Sequence, residues 1–341
     1  MKLDFRYFLD NFRGMAIIFV ILSHMPSIQE MGGAGKYLNF ILTDATTWFV
    51  FISGYLFCYI EANKFNYAEY LIKKAKYVIL PYFFFAFIAL SLKLYVSQNV
   101  LFDLTAVNYV LWSLLVGWAI VFPLWFIPMI VIFFLMTPFF NALSKTKLLY
   151  VVTFFALIFS TFSSRPINNS NAILAFLHFA GFYLFGVLAA SNAALLEGLS
   201  RYTKTKIIIV SFIVFIISIS LYFRQPKFPP DFPPDFFSGM GMPNYISIGK
   251  LALLVAIFFI FERFMNRENK ILGYFAKISF GLFFVHGFVI YAFSKLMARN
   301  VFFSETGKIF LEVGVVFAVS VTVVLVMKRV LKKRSRYVLG C

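Results

Sequence analysis

The sequence predicts an all-α integral membrane protein of about ten transmembrane helices, with an additional re-entrant or surface helix, in one domain over residues 1–341. Three observations predict it. Hydrophobic residues make up 62% of the 341 and charged ones only 13%, more apolar surface than a water-facing domain can hide. Apolar runs of roughly 16 to 22 residues recur along the whole chain, the length that crosses a bilayer as helix. Lysine and arginine gather in alternate short segments between those runs, as the orientation of membrane helices requires.

In chain order the spans fall at about 8–28, 40–60, 77–96, 124–141, 148–162, 172–190, 207–223, 245–264, 271–294 and 309–330. The first follows Lys2 and Arg6 and could be mistaken for a signal peptide. Asp4 and Asp10 are foreign to a signal's basic leader, and no small-x-small cleavage site follows, so it reads as a retained helix. An eleventh run, Val107 to Phe122, is separated from the next by little more than Pro123, too tight a join for two full spans. Charge settles its role. With ten spans and a cytoplasmic N-terminus, the inner segments hold 21 Lys or Arg and the outer ones nine, with Lys277 inside the ninth span completing the 31. That bias places both termini in the cytoplasm and makes 107–122 a re-entrant or surface helix on the outer side. The longest polar stretch, "RQPKFPPDFPPDFFSGMGMPN" at 224–244, then lies outside. Proline this dense cannot be helical. The segment is a stiff connector or a lid whose Asp231 or Asp235 touches a polar substrate.

The net charge of +17 does not indicate nucleic acid, because the basic residues form no soluble basic domain. Cys58 lies within an apolar run and Cys341 is the last residue, so no disulfide framework and no metal-ligand spacing is present. The 49 phenylalanines read as lipid-facing filler rather than as a binding device.

Ionisable groups inside the spans are the informative residues. Such groups usually face a bundle interior or a water-filled cavity and often mark a pathway. Arg13 and His24 are eleven residues apart. At about 100° per residue that is three turns plus about 20°, so both share one face, with a rise of about 16 Å. Arg13 alone would read as an anchor snorkelling to the inner surface. His24 is too deep for that. Asp10 stands one turn before Arg13, spaced to orient its guanidinium. His178 and His286 fall at a depth similar to His24, somewhat toward the outer half. An isolated membrane histidine is most often a helix-to-helix hydrogen bond, and His178 is read that way.

Five stretches together resemble the acyltransferase-3 family of integral membrane acyltransferases. They are "LDNFRG" followed by His24 in an R-x10-H spacing, "FVFISGYLF" at 49–57, "KKAKYVILPY" at 73–82, "LWFI" at 124–127 and "ISFGLFFVHG" at 278–287. Each alone is weak; all in the family's order, over nearly the whole chain, is specific. The compact form is similar to the branch that acetylates bacterial surface polysaccharides. Two departures stand out. Lys73, Lys74 and Lys76 replace the family's arginines, which exchanges a planar fork for point charges. Phe280 stands where the family has a tyrosine.

The resemblance implies an O-acetyltransferase that uses cytoplasmic acetyl-CoA as acyl donor, with no permanently bound cofactor and no metal. Its acceptor would be a glycan or lipid-linked glycan. Arg13, Lys73, Lys74 and Lys76 would hold the donor's phosphates, and Ser53 and Gly54 would let its arm pass. His24 would act as general base or as acyl relay, assisted by Arg13 and Asp10. Trp125 and His286, with the two loop aspartates, would meet the acceptor. The same features also suit a transporter or flippase of an anionic or lipid-linked substrate, or a non-catalytic partner of an assembly complex. No duplicated half is visible, which weighs against the common inverted-repeat transporter.

Overall fold

The computed structural model describes residues 6–33, 35–97, 104–117, 122–166, 169–225, 243–297 and 305–341. Among them every regular element is helical, as expected. In lipid each backbone N–H and C=O must be satisfied within its own segment, which selects helices from apolar runs of this length. The order is α1 (Tyr7–Ser23), α2 (Pro26–Gln29), α3 (Gly35–Leu42), α4 (Thr46–Leu56), α5 (Tyr67–Lys74), α6 (Leu80–Ser97), α7 (Leu104–Val116), α8 (Phe126–Leu135) and α9 (Thr137–Leu143). There follow α10 (Leu148–Phe162), α11 (Ala172–Ser191), α12 (Ala193–Gly198), α13 (Arg201–Arg224), α14 (Tyr245–Phe264), α15 (Lys270–Met297), α16 (Glu305–Leu331) and α17 (Ser335–Leu339).

Among the described residues seven helical segments are long and apolar enough to cross a membrane, or eight when the bent pair Pro123–Leu135 and Thr137–Leu143 is taken as one span. The other two predicted positions carry shorter helices, α1 with 17 residues and α10 with 15. Length and composition therefore support seven or eight spans where hydropathy alone counted ten. The bend of 54° between α8 and α9 falls at Met136, two residues before Pro138, which lacks the N–H that would continue the helix. Of the run at 107–122, the described part belongs to α7, whose 13 residues make about 20 Å of helix, shorter than a full span. The first span also ends earlier than expected. Met25 is extended and Pro26 starts α2, so α1 stops at Ser23 and His24 becomes its C-cap.

Exposure sorts the helices into a central and a peripheral set. Ile209, Val210, Ile213, Ile216 and Ile217 of α13 all lie exposed, as do Phe154 and Phe155 of α10, an apolar surface suited to lipid. The aromatic core is built by α1, α4, α8, α11, α14 and α15: Phe8, Phe12, Trp48, Phe51, Phe133, Phe179, Tyr183 and Phe284 are almost wholly buried. Helices in lipid gain little from apolar burial and adhere by close packing, which small residues permit. A Cβ on Gly54 would overlap the carbonyl oxygen of Tyr183 in α11, and one on Gly186 would overlap that of Phe51 in α4. The two glycines thus let α4 and α11 cross backbone to backbone. Gly14 does the same for α1 and α15, lying against the carbonyl of Leu272.

Candidate active site

Two of the three histidines meet. His286 of α15 is fully buried, and its Nδ1 lies 2.9 Å from the Leu282 carbonyl one turn back. Its Nε2 lies 3.3 Å from Nδ1 of His24, the ring centroids 5.3 Å apart. A carbonyl only accepts, so Nδ1 of His286 carries the hydrogen and donates it. In a neutral ring Nε2 is then the acceptor, and Nδ1–H of His24 donates to it. The chain of hydrogen bonds leaves the basic lone pair of a neutral His24 on Nε2. The backbone of Val20 gives the His24 ring a further partner. Because His24 caps the C-terminus of α1, the helix dipole presents partial negative charge to any positive charge that develops on the ring.

Beside His24 runs a narrow cleft lined by Thr46, Phe49, Trp125, Ser279, Phe280 and Phe283, among others. Its volume is about 20 Å³, room for about one water molecule. Phe280 is part of this wall and adds an apolar ring to it. Trp125 ends a 3₁₀ turn before α8 and is buried. One face stacks on Phe179 at 6.0 Å and 26°; the Arg165 guanidinium lies 5.5 Å from its centroid. Arg165 in turn holds Asp44 through Nη1 at 2.7 Å. Asp44 occupies the break between α3 and α4 with φ at 55°, a left-handed conformation that Asp tolerates better than most residues. Its charge also offsets that of Lys250, which is wholly buried, donates to the Ile41 carbonyl and sits 5.6 Å over the Trp48 ring.

The predicted site residues are thus gathered in part. His24, His286 and Trp125 share one place. Asp10 pairs with Arg13 at 3.4 Å, as its i, i+3 spacing implies. The lysines stand apart from that pair: no described hydrogen bond or ion pair joins 73, 74 or 76 to Arg13. Lys73 and Lys76 are exposed, while Lys74 is drawn over the rings of Tyr70 and Phe134 at 4.9 and 4.8 Å. Lys76 lies in a π-helical turn, Ala75–Ile79, and Gly340 packs between the Tyr77 carbonyl of that turn and Phe280 of α15. The expected passage for a donor arm at Gly54 is filled by α11, so this glycine serves helix packing, and Ser53 beside it is half-buried. Asp231 and Asp235 lie outside the described residues.

His178 shares a hydrogen bond with Ser163 at 2.9 Å and packs edge-on to Phe179. Asn244 at the start of α14 donates to the Ser163 carbonyl at 3.0 Å. This is a helix-to-helix tie, the role the sequence assigned it. His178→Asn is expected to cost about 1 kcal/mol in stability and to leave catalysis within a few-fold, measurable as the melting temperature and initial rate of the purified variant.

Sequence reasoning missed Arg165, Asp44 and Lys250. The signals were available: two cations on the side poor in them, and an acidic residue inside the second span. Among the described residues no group of three His, Cys, Asp or Glu gathers as for a metal ion.

A sequence model of the acyltransferase-3 family, described as an acyltransferase domain, matches residues 6–329. No curated protein and no solved structure matches the chain. The matched stretch contains Arg13, both paired histidines and Trp125 within one helical membrane bundle, and with nearly the whole chain covered the protein belongs to the acyltransferase-3 family of integral membrane acyltransferases.

Proposed function

We propose that this membrane acyltransferase moves an acetyl group from cytoplasmic acetyl-CoA to a hydroxyl of an extracytoplasmic or lipid-linked glycan, with His24 as the group that handles the proton. The observation that carries the reading is the His24–His286 contact at 3.3 Å, which orients Nε2 of His24. In the direct route the acceptor hydroxyl attacks the thioester carbonyl while Nε2 takes its proton. The C–O bond forms, the C–S bond breaks, and the imidazolium returns the proton to the departing thiolate. His286 and the end of α1 stabilise the transient positive charge. In the relay route Nε2 itself attacks the thioester carbonyl and forms a C–N bond as the C–S bond breaks and the thiolate departs. The hydroxyl then takes the acetyl from the acyl-imidazole, the C–N bond breaks, and the hydroxyl proton passes through the freed imidazole to the thiolate. Either route requires the cleft to widen, since it now admits only a water-sized group. Phe49, Phe280 and Phe283 are the side chains whose rotation would widen it.

The Asp10–Arg13 pair places a cation on α1 toward the donor's side, and Trp125 with Arg165 and Asp44 offers a ring edge at the cleft and a charge pair to a sugar. We place the protein in a bacterial inner membrane, as the resemblance implies, and the charge bias of the loops supports both termini in the cytoplasm. A reporter joined after Cys341 is therefore expected to be active only in the cytoplasm; activity only outside would overturn that topology.

Purified protein in liposomes tests the function. Labelled acetyl supplied outside as acetyl-CoA, with acceptor glycan inside or outside, is expected to appear on the glycan only when protein is present. Movement of an unmodified solute without acetyl transfer would assign the chain to the transporter reading instead.

A further inference from the structure

Away from the histidines, the same two helices enclose a second and larger cleft. It has a volume of about 320 Å³ and is lined by Tyr7 and Asp10 of α1 and by Lys270, Gly273, Tyr274 and Lys277 of α15. The α15 positions are spaced i, i+3, i+4 and i+7, one stripe of that helix; Tyr7 and Asp10, at i and i+3, share one stripe of α1. Both tyrosines are 39% exposed, and both lysines are exposed. Lys277 is a cation within a predicted span, where charge is costly unless it serves a cavity or a ligand. Gly273 adds an independent observation. Glycine in the interior of a helix costs about 1 kcal/mol against alanine. At Gly14 close packing explains it, but a Cβ on Gly273 would meet nothing within 4 Å. The glycine keeps the floor of the cleft low although no part of the chain fills it.

We infer that this cleft seats the adenine-nucleotide head of the acyl thioester donor, a role for α15 residues in place of the lysines at 73, 74 and 76. The inference rests on the donor reading above. Two aromatic rings can stack an adenine, two lysines can hold phosphates, and the Asp10 carboxylate can accept from a ribose hydroxyl or the exocyclic amine. Glu268 also lines the cleft, a second carboxylate that favours a neutral sugar or base beside it over phosphate. The geometry also selects among donors. From Asp10 to His24 the rise along α1 is about 21 Å, and from Gly273 to His286 along α15 about 20 Å. A donor whose charge adjoins its acyl carbon, such as an acyl phosphate, cannot reach both places. A thioester on a long arm with a nucleotide at its far end can.

The test is coenzyme A binding to the full chain in nanodiscs, by calorimetry. Lys270→Ala with Lys277→Ala is expected to weaken coenzyme A binding about tenfold or more. Gly273→Leu, which fills the cleft from a position that tolerates a side chain, is expected to do the same with an unchanged or raised melting temperature. Both variants should use S-acetylpantetheine, which has the arm and no nucleotide, at the wild-type rate. Lys73→Ala with Lys76→Ala should bind coenzyme A like wild type. Binding within twofold of wild type in the α15 variants, or a tenfold loss in the 73/76 variant alone, would overturn the assignment. Wild-type protein that binds coenzyme A without transferring acetyl would remove the catalytic reading while these comparisons still decide the cleft. Wild-type protein that binds none would remove both.

Discussion

His24→Asn is expected to leave the protein folded and inserted while acyl transfer falls about 10²-fold or more. The amide can reproduce one ring nitrogen's hydrogen bond, so the contact with His286 survives in part and the α1–α15 crossing is undisturbed. It cannot take a proton from a hydroxyl, nor carry an acyl group. Initial rates from labelled acetyl-CoA at matched expression, with melting temperature as the control for folding, measure this. His286→Asn should fall less far, since His286 only orients His24 and shares its charge. Near-normal turnover in His24→Asn would make the histidine pair a structural tie, like His178 with Ser163.

Gly14→Ala should be nearly as damaging, although it adds one methyl group far from the chemistry. That methyl would overlap the Leu272 carbonyl, which belongs to helical backbone and has little room to yield. The two helices must part by about 1 Å, and a misplacement of that size at a reacting pair costs about 10²-fold. Overpacking of this kind also lowers stability by about 1–3 kcal/mol. The expected signature is a lower melting temperature together with a loss of rate larger than the fraction unfolded can explain. Gly314→Ala in α16, where nothing lies within 4 Å, is the matched control and should be neutral or slightly stabilising. A wild-type rate in Gly14→Ala would show that the histidine contact does not depend on the close crossing of α1 and α15.

What the sequence by itself determined follows from the solvent. Lipid offers no hydrogen bonds, so every apolar run long enough to cross it becomes helix, and the runs read from hydropathy all recur as helices. Their ends were less legible. Pro26 and Pro138 break runs that hydropathy leaves continuous, and α1 stops at Ser23, short of the run read over 8–28. The sequence also singled out Arg13, His24 and His286, because an ionisable group is costly in hydrocarbon wherever its helix faces. It identified the family through short motifs in order.

Which of those groups touch was decided only by the tertiary structure. His24 and His286 are separated by 262 residues, and their contact depends on the rotation and tilt of two helices that hydropathy does not specify. Small residues set those angles: Gly14 brings α1 onto α15, and Gly54 with Gly186 locks α4 onto α11. The same crossings drew Asp44, Arg165 and Trp125 to the site from three separate segments and left Gly273 over open space. A periodic pattern shows that a helix has an inner face. The depth and angle at which two such faces meet come from backbone-to-backbone packing, and that packing is what brings Nδ1 of His24 to Nε2 of His286.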